Sequence, residues 1–455
     1  MTPPVASPAE LTLTRLDLRI PDGAALEARD ALFRRGAVPD PAVREAARVI
    51  LGDVRDRGAA AVRDASARFG GGRPDGRLLL ERAELRAARD ALSRAERAAL
   101  ETAVENVGRF AEAQRPATRR ITIVPGVELE RRWQPLARVG AYVPGGSTPY
   151  PSSLVMTVVP ARVAGVGSVV VASPADRNGD VHPVLLGAAG LLDVDALLVA
   201  GGVQAIGALA YGLPDLGFDP VDLIVGPGSA WVTAAKLEVV GEVGIDLPAG
   251  PSEGLVLADA SADPRTVAAD LITQAEHGVD SPALLVTPDA ELADAVEREV
   301  RRRLATASRR DILARALADH GRIVLVPDVP AGIEFVNGYG PEHLSVEVEN
   351  LEAAVAAIRN AGSIFLGRWS PEAAGDYASG ANHVLPTGGL ARACGPLAVE
   401  TFGKFNQVQR ITREGLATLR PAIRTLAEAE GLLAHRDAVE IRFEDEATAA
   451  DGTGR

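Results

Sequence analysis

The sequence has a single cysteine, Cys394, among its 455 residues. One thiol per chain cannot form an intramolecular disulfide or an all-cysteine zinc site. Any metal ion must then be held by histidine, carboxylate or amide side chains. With no His or Asp close to it in sequence, Cys394 is most simply a small buried residue rather than a nucleophile.

Long apolar runs and basic clusters are also missing. No apolar run reaches the roughly 18 residues that a membrane span needs, and the first residues lack the basic and apolar regions of a signal peptide. The net charge of −13 argues against nucleic-acid binding, because phosphates require a basic face. The densest basic run, Arg301 to Arg303, is typical of a solvated helix face. We therefore expect a cytoplasmic protein that binds neither membranes nor nucleic acid.

Histidine is scarce, with six copies in the chain. His182 precedes a proline, and His320 suits a helix C-terminus before Gly321, where a cation interacts well with the helix dipole. The other four histidines lie beside acidic or amide side chains: His277 follows Gln274 and Glu276, His343 follows Glu342, His383 follows Asp376 and Asn382, and His435 follows Glu428 and Glu430. These four clusters are the candidate functional positions.

The length favours about three domains. Residues 41–110 are rich in Ala, Arg, Leu and Glu at helical spacing and break at Gly70–Gly72, which is typical of a helical scaffold. Residues 121–133 alternate as in a strand. Short apolar runs then alternate with helical stretches, which indicates parallel βαβ units. The runs lie at residues 168–172, 196–200, 223–225, 255–258, 284–287, 323–326 and 363–366.

Glycine-rich turns lie at the ends of these strands, at Gly201–Gly202, Gly226–Ser229 and Ala249–Glu253. Ligands of open α/β sheets collect at the carboxyl ends of strands, so these turns are candidate ligand sites, although glycine also serves simply to turn a chain. No Gly-x-Gly-x-x-Gly follows any of the strands, so the usual dinucleotide fingerprint is absent. The pattern predicts two similar α/β domains, one inserted in the other, followed by a helical extension with an apolar stripe in residues 412–430.

Glu342 and His343 are adjacent in the segment Gly340-Pro341-Glu342-His343-Leu344. A carboxylate beside an imidazole offers two proton acceptors to one bound molecule if a tight turn presents both to one cavity. An exposed polar turn is the alternative interpretation.

Gln274 and His277 are three residues apart on a predicted helix, so their side chains project from one face. That spacing suits joint coordination of a metal, and Asp376 and His435 would complete a mixed oxygen and nitrogen ligand set for zinc or a similar ion. A hydrogen-bonded Gln–His pair without a metal is the alternative.

Taken together, the clusters resemble histidinol dehydrogenase from about residue 25 to residue 443. The matching segments are residues 139–146, 201–206, 248–253, 274–278, 340–344, 375–387 and 428–435. The resemblance implies two Rossmann-like parallel-sheet domains and a C-terminal extension exchanged in a homodimer with shared active sites. It also implies a zinc- and NAD-dependent oxidation of L-histidinol, through the aldehyde, to L-histidine, the last step of histidine biosynthesis.

The resemblance carries roles to individual residues. Gln274, His277, Asp376 and His435 match the zinc ligands, with His435 supplied by the partner subunit, and Glu342 and His343 match the proton-transfer pair. The substrate-binding set comprises Ser252, His383 and Glu430 together with the zinc ligands and the proton-transfer pair. Tyr142, Gln204 and Ser229 match positions that contact NAD. The family usually has Asn in place of Ser229, and we expect the serine to alter cofactor affinity without abolishing activity.

The domain division that follows is an N-terminal segment 1–24, a metal-bearing and catalytic domain formed by 25–137 and 252–395, and an NAD-binding domain 138–251. An extension 396–446 would contact the partner subunit, and 447–455 would be a disordered tail. His343 would take the alcohol proton and Glu342 would activate water for the second oxidation. Three alternatives remain open from sequence, of which the first two are a zinc- and NAD-dependent dehydrogenase of another small polyol such as a sulfonated diol, and a zinc hydrolase. A non-catalytic metal-binding scaffold is a third.

Overall fold

The computed structural model describes residues 11–145 and 148–444. The disordered tail that we predict at residues 447–455 lies outside the described residues. The strands are β1 (Thr14–Asp17), β2 (Leu79–Glu81), β3 (Arg119–Val124), β4 (Val127–Pro135), β5 (Arg138–Tyr142), β6 (Ser168–Ser173), β7 (Ala196–Val199), β8 (Leu223–Val225), β9 (Gly244–Ile245), β10 (Gly254–Ala258), β11 (Ala283–Thr287), β12 (Gly321–Leu325), β13 (His343–Glu347), β14 (Ser363–Leu366) and β15 (Gly403–Ile411).

The helices are α1 (Gly23–Phe33), α2 (Pro41–Arg57), α3 (Ala59–Phe69), α4 (Arg82–Asp90), α5 (Arg94–Ala113), α6 (Pro151–Ala164), α7 (Pro183–Leu191), α8 (Gly202–Tyr211), α9 (Ala230–Glu238), α10 (Pro264–Glu276), α11 (Ala290–Leu304), α12 (Arg310–His320), α13 (Val329–Tyr339), α14 (Leu351–Ala357), α15 (Glu372–Tyr377), α16 (Arg413–Ala429) and α17 (Leu433–Glu440). Short 3₁₀ turns lie at Pro214–Leu216, Leu390–Arg392, Val399–Phe402 and Ile441–Phe443. The predicted helix end at His320 is confirmed.

Two six-stranded sheets, A and B, contain the strands between residues 14 and 366 other than β3 and β4. Sheet A has the strand order β1-β12-β11-β10-β13-β14, and sheet B has the order β2-β7-β6-β5-β8-β9, in which β2 alone runs antiparallel to its neighbour. In sheet A the chain passes through β10, β11 and β12 in turn and then crosses to the other side of β10 to form β13 and β14. Sheet B repeats this path with β5, β6 and β7, followed by β8 and β9 on the other side of β5. This is the Rossmann arrangement. All six strands of sheet B lie in sequence between β1 and β10 of sheet A. The predicted pair of parallel-sheet domains, one inserted in the other, is confirmed.

Sheet A is buried on both faces. Val256 and Ala258 of β10 pack with α10, α11 and α12 on one side. Leu255 and Leu257 of the same strand pack with α13 and α14 on the other. Strands covered on both faces carry unbroken apolar runs, which is why the sequence predicted β10 and β11 closely. The first turn of α11 is capped by the Asp289 side chain.

The helical region that contains α2 and α3 packs against elements of sheet B, whereas from sequence we grouped it with the metal-bearing domain. We placed residues 25–137 with the metal-bearing domain. In the structure β2 pairs with β7 of sheet B, and residues of α2 and α3 share a core with α8 and α9. The domain boundaries themselves stay predictions.

The described chain forms two compact units: residues 11–115 with Leu136–Phe402, and Pro116–Pro135 with residues 403–444. The second unit contains a three-stranded antiparallel sheet in the order β15-β4-β3, followed by α16 and α17. The prediction of a strand within residues 121–133 is confirmed by β3 and β4, and the predicted helix of residues 412–430 is α16, capped by the Thr412 side chain. The extension is therefore not wholly helical, because β15 pairs with β4 along its whole length.

Two further sequence expectations are corrected. Cys394 is exposed, not buried. The segment that begins at His343 is a strand, β13, which we had interpreted as part of a turn. It pairs with β10 on one side and with β14 on the other, so the turn ends at Glu342.

Candidate active site

Glu342 and His343 lie at the amino end of β13. Helix α13 ends at Tyr339, Gly340 follows with a left-handed φ of 61°, and the strand begins at His343. Glu342 is only 6% exposed and His343 only 4%. The alternative of an exposed polar turn is therefore wrong, and the pair faces the protein interior.

The carboxylate of Glu342 is held by the turn that precedes β10. Its Oε2 accepts hydrogen bonds from the Ser252 hydroxyl at 2.8 Å and from the Glu253 backbone N–H at 3.0 Å. Arg35 in turn donates to both carboxylate oxygens of Glu253, at 2.6 and 2.8 Å. The predicted substrate residue Ser252 thus touches the predicted catalytic residue Glu342.

The imidazole of His343 is surrounded by carboxylates. Its Nδ1 lies 3.6 Å from Glu342 Oε2 and 4.0 Å from Glu372 Oε1, and its Nε2 lies 4.0 Å from Asp376 Oδ1. Among the described residues neither ring nitrogen has a hydrogen-bond partner, although both are buried. The ring stacks on His277 at 6.1 Å and on Phe365 at 6.2 Å, which fixes its plane.

Burial and these charges shift the acid–base properties of the pair. Burial raises the pKa of Glu342, and the nearby His343 only partly opposes this effect. Burial alone would lower the pKa of His343, but the carboxylates of Glu372, Glu342 and Asp376 outweigh burial, and its pKa is raised. A raised pKa brings the Glu342 carboxyl group closer to the neutral range, where it can exchange a proton with a bound molecule.

A possible metal site lies beside this pair. Single ligand atoms of His277, Glu372 and Asp376 lie within 4.8 Å of one another. Gln274 joins the same region, because its Nε2 donates to Ser252 Oγ at 3.3 Å, while its Oε1 is buried and has no partner among the described residues. An imidazole nitrogen, carboxylate oxygens and a free amide oxygen form a donor set that suits a divalent ion such as zinc.

Glu372 is a residue that sequence reasoning missed. It is the first residue of α15, is 3% exposed and accepts a hydrogen bond from His277 Nε2 at 3.2 Å. Burial by itself would raise its pKa, but His343 and His277 outweigh burial and lower it. The available signal was its spacing: residues four apart on a helix share a face, and Glu372 precedes Asp376 by four.

His383 lies next to Asp376 but is engaged within the protein. Its Nδ1 lies 3.0 Å from the backbone carbonyl of Asp376, so this nitrogen carries the proton, and Nε2 at 3.2 Å accepts from the Ser153 hydroxyl. Burial lowers the pKa of His383 to about 4. The ring is therefore neutral at physiological pH.

Two predicted site residues belong to the second unit. Glu430 follows α16 directly, His435 lies on α17, and both side chains are exposed. Their roles as substrate and metal ligands stay predictions.

The three predicted NAD contacts share a cavity of about 810 Å³. Tyr142 ends β5, Gln204 lies in the first turn of α8, and Ser229 precedes α9, so all three lie beyond the carboxyl ends of strands of sheet B. The Tyr142 hydroxyl accepts a hydrogen bond from the Gly202 N–H at 3.2 Å. This is the expected ligand position in a doubly wound sheet, at the point where the strand order reverses.

Sheet A departs from that rule. Ser252 and Glu253 precede β10, and Glu342 precedes β13, so the proton-transfer pair lies at the amino ends of these strands. We predicted three glycine-rich turns at the carboxyl ends of strands. The turn at Ala249–Glu253 instead precedes β10 and lies at the amino edge of sheet A.

Known proteins match this chain over nearly its whole length. A sequence model of the histidinol dehydrogenase family matches residues 34–443. Histidinol dehydrogenase of Leifsonia xyli subsp. xyli is 46% identical over 421 residues, covering 92% of this chain and 96% of the relative. The Nocardia farcinica protein of the same name is 44% identical over 442 residues, with 96% and 99% covered. The crystal structure of histidinol dehydrogenase from Elizabethkingia anophelis has a TM-score of 0.89 and 34% identity, and the match covers 96% of this chain and 99% of that one.

The chain belongs to the histidinol dehydrogenase family.

Membership of the histidinol dehydrogenase family confirms the resemblance drawn from the seven segments and the prediction of an oxidoreductase. The polyol dehydrogenase, the hydrolase and the non-catalytic scaffold are not favoured by these matches. Within residues 11–145 and 148–444 no helix is long and apolar enough to cross a membrane.

Proposed function

We propose that this protein oxidises L-histidinol through L-histidinal to L-histidine, the last step of histidine biosynthesis, with two NAD per turnover and one zinc site per chain. The observation that supports this most strongly is the buried pair Glu342 and His343, ringed by further carboxylates and set beside an unpartnered amide oxygen. Two successive oxidations of one carbon each need a proton acceptor, and the adjacent carboxylate and imidazole supply two.

Gln274, His277 and Asp376 would hold the zinc, with His435 supplied by a second copy of the chain. The fit rests on the free Oε1 of Gln274 and on the closeness of His277 to Asp376. Bound zinc would hold the imidazole and amino nitrogens of the substrate and so position its carbinol carbon. Glu372 would orient His277, since it already accepts a hydrogen bond from that ring.

His343 would take the hydroxyl proton of L-histidinol in the first oxidation. Neither ring nitrogen has a hydrogen-bond partner within the described parts of the chain, and the stacked His277 and Phe365 rings keep the imidazole in place. Glu342 would take a proton from water in the second oxidation, when the aldehyde is hydrated. Ser252 and the Glu253 N–H both donate to the same oxygen of Glu342, so the other oxygen is available to a water molecule.

The charge of the site suits a cationic substrate. Glu342, Glu372 and Asp376 lie within 4.0 Å of His343, and each is buried or partly buried. The ammonium group of L-histidinol would be attracted by this negative charge and would lose a proton to solvent before its nitrogen binds zinc. A sulfonated diol would bring an anion into the same site, which makes it the poorer substrate.

NAD would accept the electrons from a site in the 138–251 domain, held by Tyr142, Gln204 and Ser229. Residues 252–395 would form the catalytic part, and residues 396–446 the contact with a second subunit. We keep the cytoplasm as the proposed compartment.

The test is an assay of NADH formation with L-histidinol on zinc-loaded and on chelated protein. We expect turnover that depends on L-histidinol and on NAD, that is lost on chelation and that returns when zinc is added. A sulfonated diol in place of L-histidinol serves as the substrate control. Substrate conversion without added NAD would instead indicate a hydrolase and would refute the proposal.

A further inference from the structure

Arg35 lies between the two turns that precede β10 and β13. It follows the end of α1 by two residues, and its side chain is 18% exposed, while the Glu253 side chain that it contacts is 3% exposed. Its Nε donates to Glu253 Oε2 at 2.6 Å, and one terminal nitrogen donates to Oε1 at 2.8 Å. Two parallel hydrogen bonds of this kind fix the carboxylate in the plane of the guanidinium.

The same guanidinium also binds the backbone of the turn before β13. The terminal nitrogen that donates to Glu253 donates to the carbonyl of Tyr339 at 2.9 Å and to that of Gly340 at 3.4 Å. The centre of the guanidinium lies 3.2 Å from the centre of the Tyr339 ring, which is 1% exposed. A planar cation stacked on a buried aromatic face has one orientation. Arg35 therefore holds the two turns together.

The backbone of Glu253 connects Arg35 to both catalytic residues. The Glu253 N–H donates to Glu342 Oε2 at 3.0 Å, and the Glu253 carbonyl accepts from the His343 N–H at 3.1 Å. The Ser252 hydroxyl donates to the same oxygen of Glu342 at 2.8 Å. The position of the Glu342 carboxylate thus depends on the position of the turn formed by Ser252 and Glu253.

The two catalytic side chains depend on this turn to different degrees. His343 belongs to β13, which pairs with β10 and β14, and its ring stacks on His277 and Phe365. Glu342 precedes the strand, and both hydrogen bonds that its carboxylate accepts from the described residues come from the turn that Arg35 holds. A shift of that turn would therefore displace the carboxylate more than the imidazole.

We propose that Arg35 is a positioning residue for the second of the two oxidations, because it fixes the turn whose hydrogen bonds orient the Glu342 carboxylate towards water. This inference deepens the proposed function and rests on it, since it uses the role of Glu342 as the base of the second oxidation. Arg35 acts through Glu253 and takes no part in the proton transfer itself.

The test compares the two oxidations in zinc-loaded, full-length Arg35→Lys. Lysine keeps a positive charge beside Glu253 but cannot bind both carboxylate oxygens and the Tyr339 carbonyl in one plane. Stopped-flow absorbance follows the two phases of NADH formation when L-histidinol is mixed with excess enzyme and NAD. The first phase should keep the wild-type rate, and the second should slow by about tenfold or more, since a small misplacement of a catalytic group has an effect of that size.

Steady-state assays with L-histidinal as the added substrate give a second readout. We expect kcat for its oxidation by Arg35→Lys to fall by about tenfold or more, while the KM values for L-histidinal and NAD stay at the wild-type values. A loss of fold or of zinc would change these KM values as well, whereas a misplaced base lowers kcat alone.

A double variant covers the case in which Arg35→Lys does not fold. Arg35→Met combined with Glu253→Gln removes both charges, so no buried carboxylate is left without its cation. It should retain zinc and slow the second oxidation as Arg35→Lys does. Arg29→Met is the matched control, because Arg29 lies on α1, pairs with Asp30 at 2.7 Å and lies 5.8 Å from the centre of the Phe33 ring. Both of its oxidations should proceed at wild-type rates.

The outcomes separate the role of Arg35 from the function itself. If wild type oxidises L-histidinol and L-histidinal with NAD, but the two Arg35 variants slow both oxidations equally, slow neither or both fail to fold, the positioning role is wrong and the function stands. If wild type oxidises neither compound with NAD, the function and the positioning role are both wrong.

Discussion

Gln274 reaches its place because the residue opposite it has no side chain. A Cβ on Gly254 would lie 2.7 Å from Gln274 Oε1 and 2.8 Å from its Cγ, closer than atoms approach each other. The free amide oxygen that we assign to zinc therefore depends on a glycine at the start of β10. A methyl group at that position would push Gln274 out of the ligand set.

We predict that Gly254→Ala lowers zinc affinity at least tenfold and reduces turnover, with little change in the melting temperature, because a strand accepts alanine and only the Gln274 side chain must move. Zinc content after dialysis, measured by mass spectrometry, checks the first part. Gly52→Ala is the control, since nothing lies within 4 Å of a Cβ there, and it should change stability by less than about 1 kcal/mol. Full zinc occupancy in Gly254→Ala would contradict this role of Gln274.

Ser229 offers a second prediction at the scale of a residue. It occupies the N-cap of α9 and lines the cofactor cavity, but its side chain makes no capping hydrogen bond. Asn suits an N-cap as well as Ser does, so the helix tolerates the change. We expect Ser229→Asn to lower the KM for NAD several-fold through its extra donor, with kcat unchanged, in steady-state assays with varied NAD. An unchanged or higher KM would show that the amide is not used here.

At the scale of elements, one buried ion pair holds the turn that carries Ser229. Lys236 on α9 ion-pairs with Asp246 and donates to the carbonyls of Gly226 at 3.0 Å and Leu247 at 3.3 Å. Asp246 in turn accepts from the Gly226 N–H at 2.7 Å. Gly226 has a φ of 108°, and a Cβ there would lie 2.1 Å from the Tyr142 carbonyl, so the turn admits only glycine.

We predict that Lys236→Met destabilises the protein by roughly 3–5 kcal/mol, because it leaves the buried Asp246 unpaired. Chemical denaturation followed by circular dichroism measures the change. The sequence contains one other lysine, the exposed Lys404, and Lys404→Met should stay within about 0.5 kcal/mol of wild type. If Lys236→Met and Lys404→Met were equally stable, the structural role assigned to Lys236 would be wrong.

In the three-stranded sheet β15-β4-β3, one carboxylate binds arginines of all three strands. Glu130 of β4 accepts from Arg132 at 2.8 Å, from Arg120 of β3 at 2.7 Å and from Arg410 of β15 at 3.0 Å. The arginines, Arg132 first, lower the pKa of Glu130 from 4.5 to about 2. A carboxylate whose pKa is lower in the folded state stabilises it above its unfolded pKa, and this contribution is lost as the pH falls towards the folded pKa.

We therefore expect Glu130→Gln to melt below wild type at pH 7, with a gap that stays constant down to about pH 4.5 and narrows as the pH falls towards 2. Thermal melts across this range provide the measurement. Glu128→Gln, on the same strand, removes only the longer ion pairs to Arg120 at 3.4 Å and Arg410 at 3.3 Å and should show a smaller gap. If the difference in melting temperature between wild type and Glu130→Gln widened on acidification, the stabilising role assigned to ionised Glu130 would be contradicted.

The sequence predicted the interior of the two parallel sheets better than their edges. Runs such as residues 168–172 are buried on both faces, so their composition alone indicates strands. β13 was missed because His343, Ser345 and Glu347 interrupt the apolar pattern, although all three are buried. β15 was missed because its pairing with β4 joins segments about 275 residues apart, and nothing local indicates such a partner. Glu372 was missed although it precedes Asp376 by four residues, because that spacing indicates a shared helix face only once the short helix α15 is recognised.

At the scale of the whole molecule, the proposal requires two copies of the chain for each complete site, because His435 is to come from a second subunit. We predict that inactive His435→Asn and Glu342→Gln proteins recover activity when their subunits are exchanged. A hybrid dimer then has one site with both changes and one intact site, so equal mixing should restore about a quarter of wild-type activity. Hybrid dimers shown to form without any recovered activity would place His435 outside the shared site.

The most direct test of the account is the number of NADH molecules formed for each L-histidinol consumed. Limiting L-histidinol, excess NAD and zinc-loaded protein should give two NADH and one L-histidine, since Glu342 and His343 serve two successive oxidations in one site. One NADH with accumulated aldehyde, or no NADH at all, would contradict it.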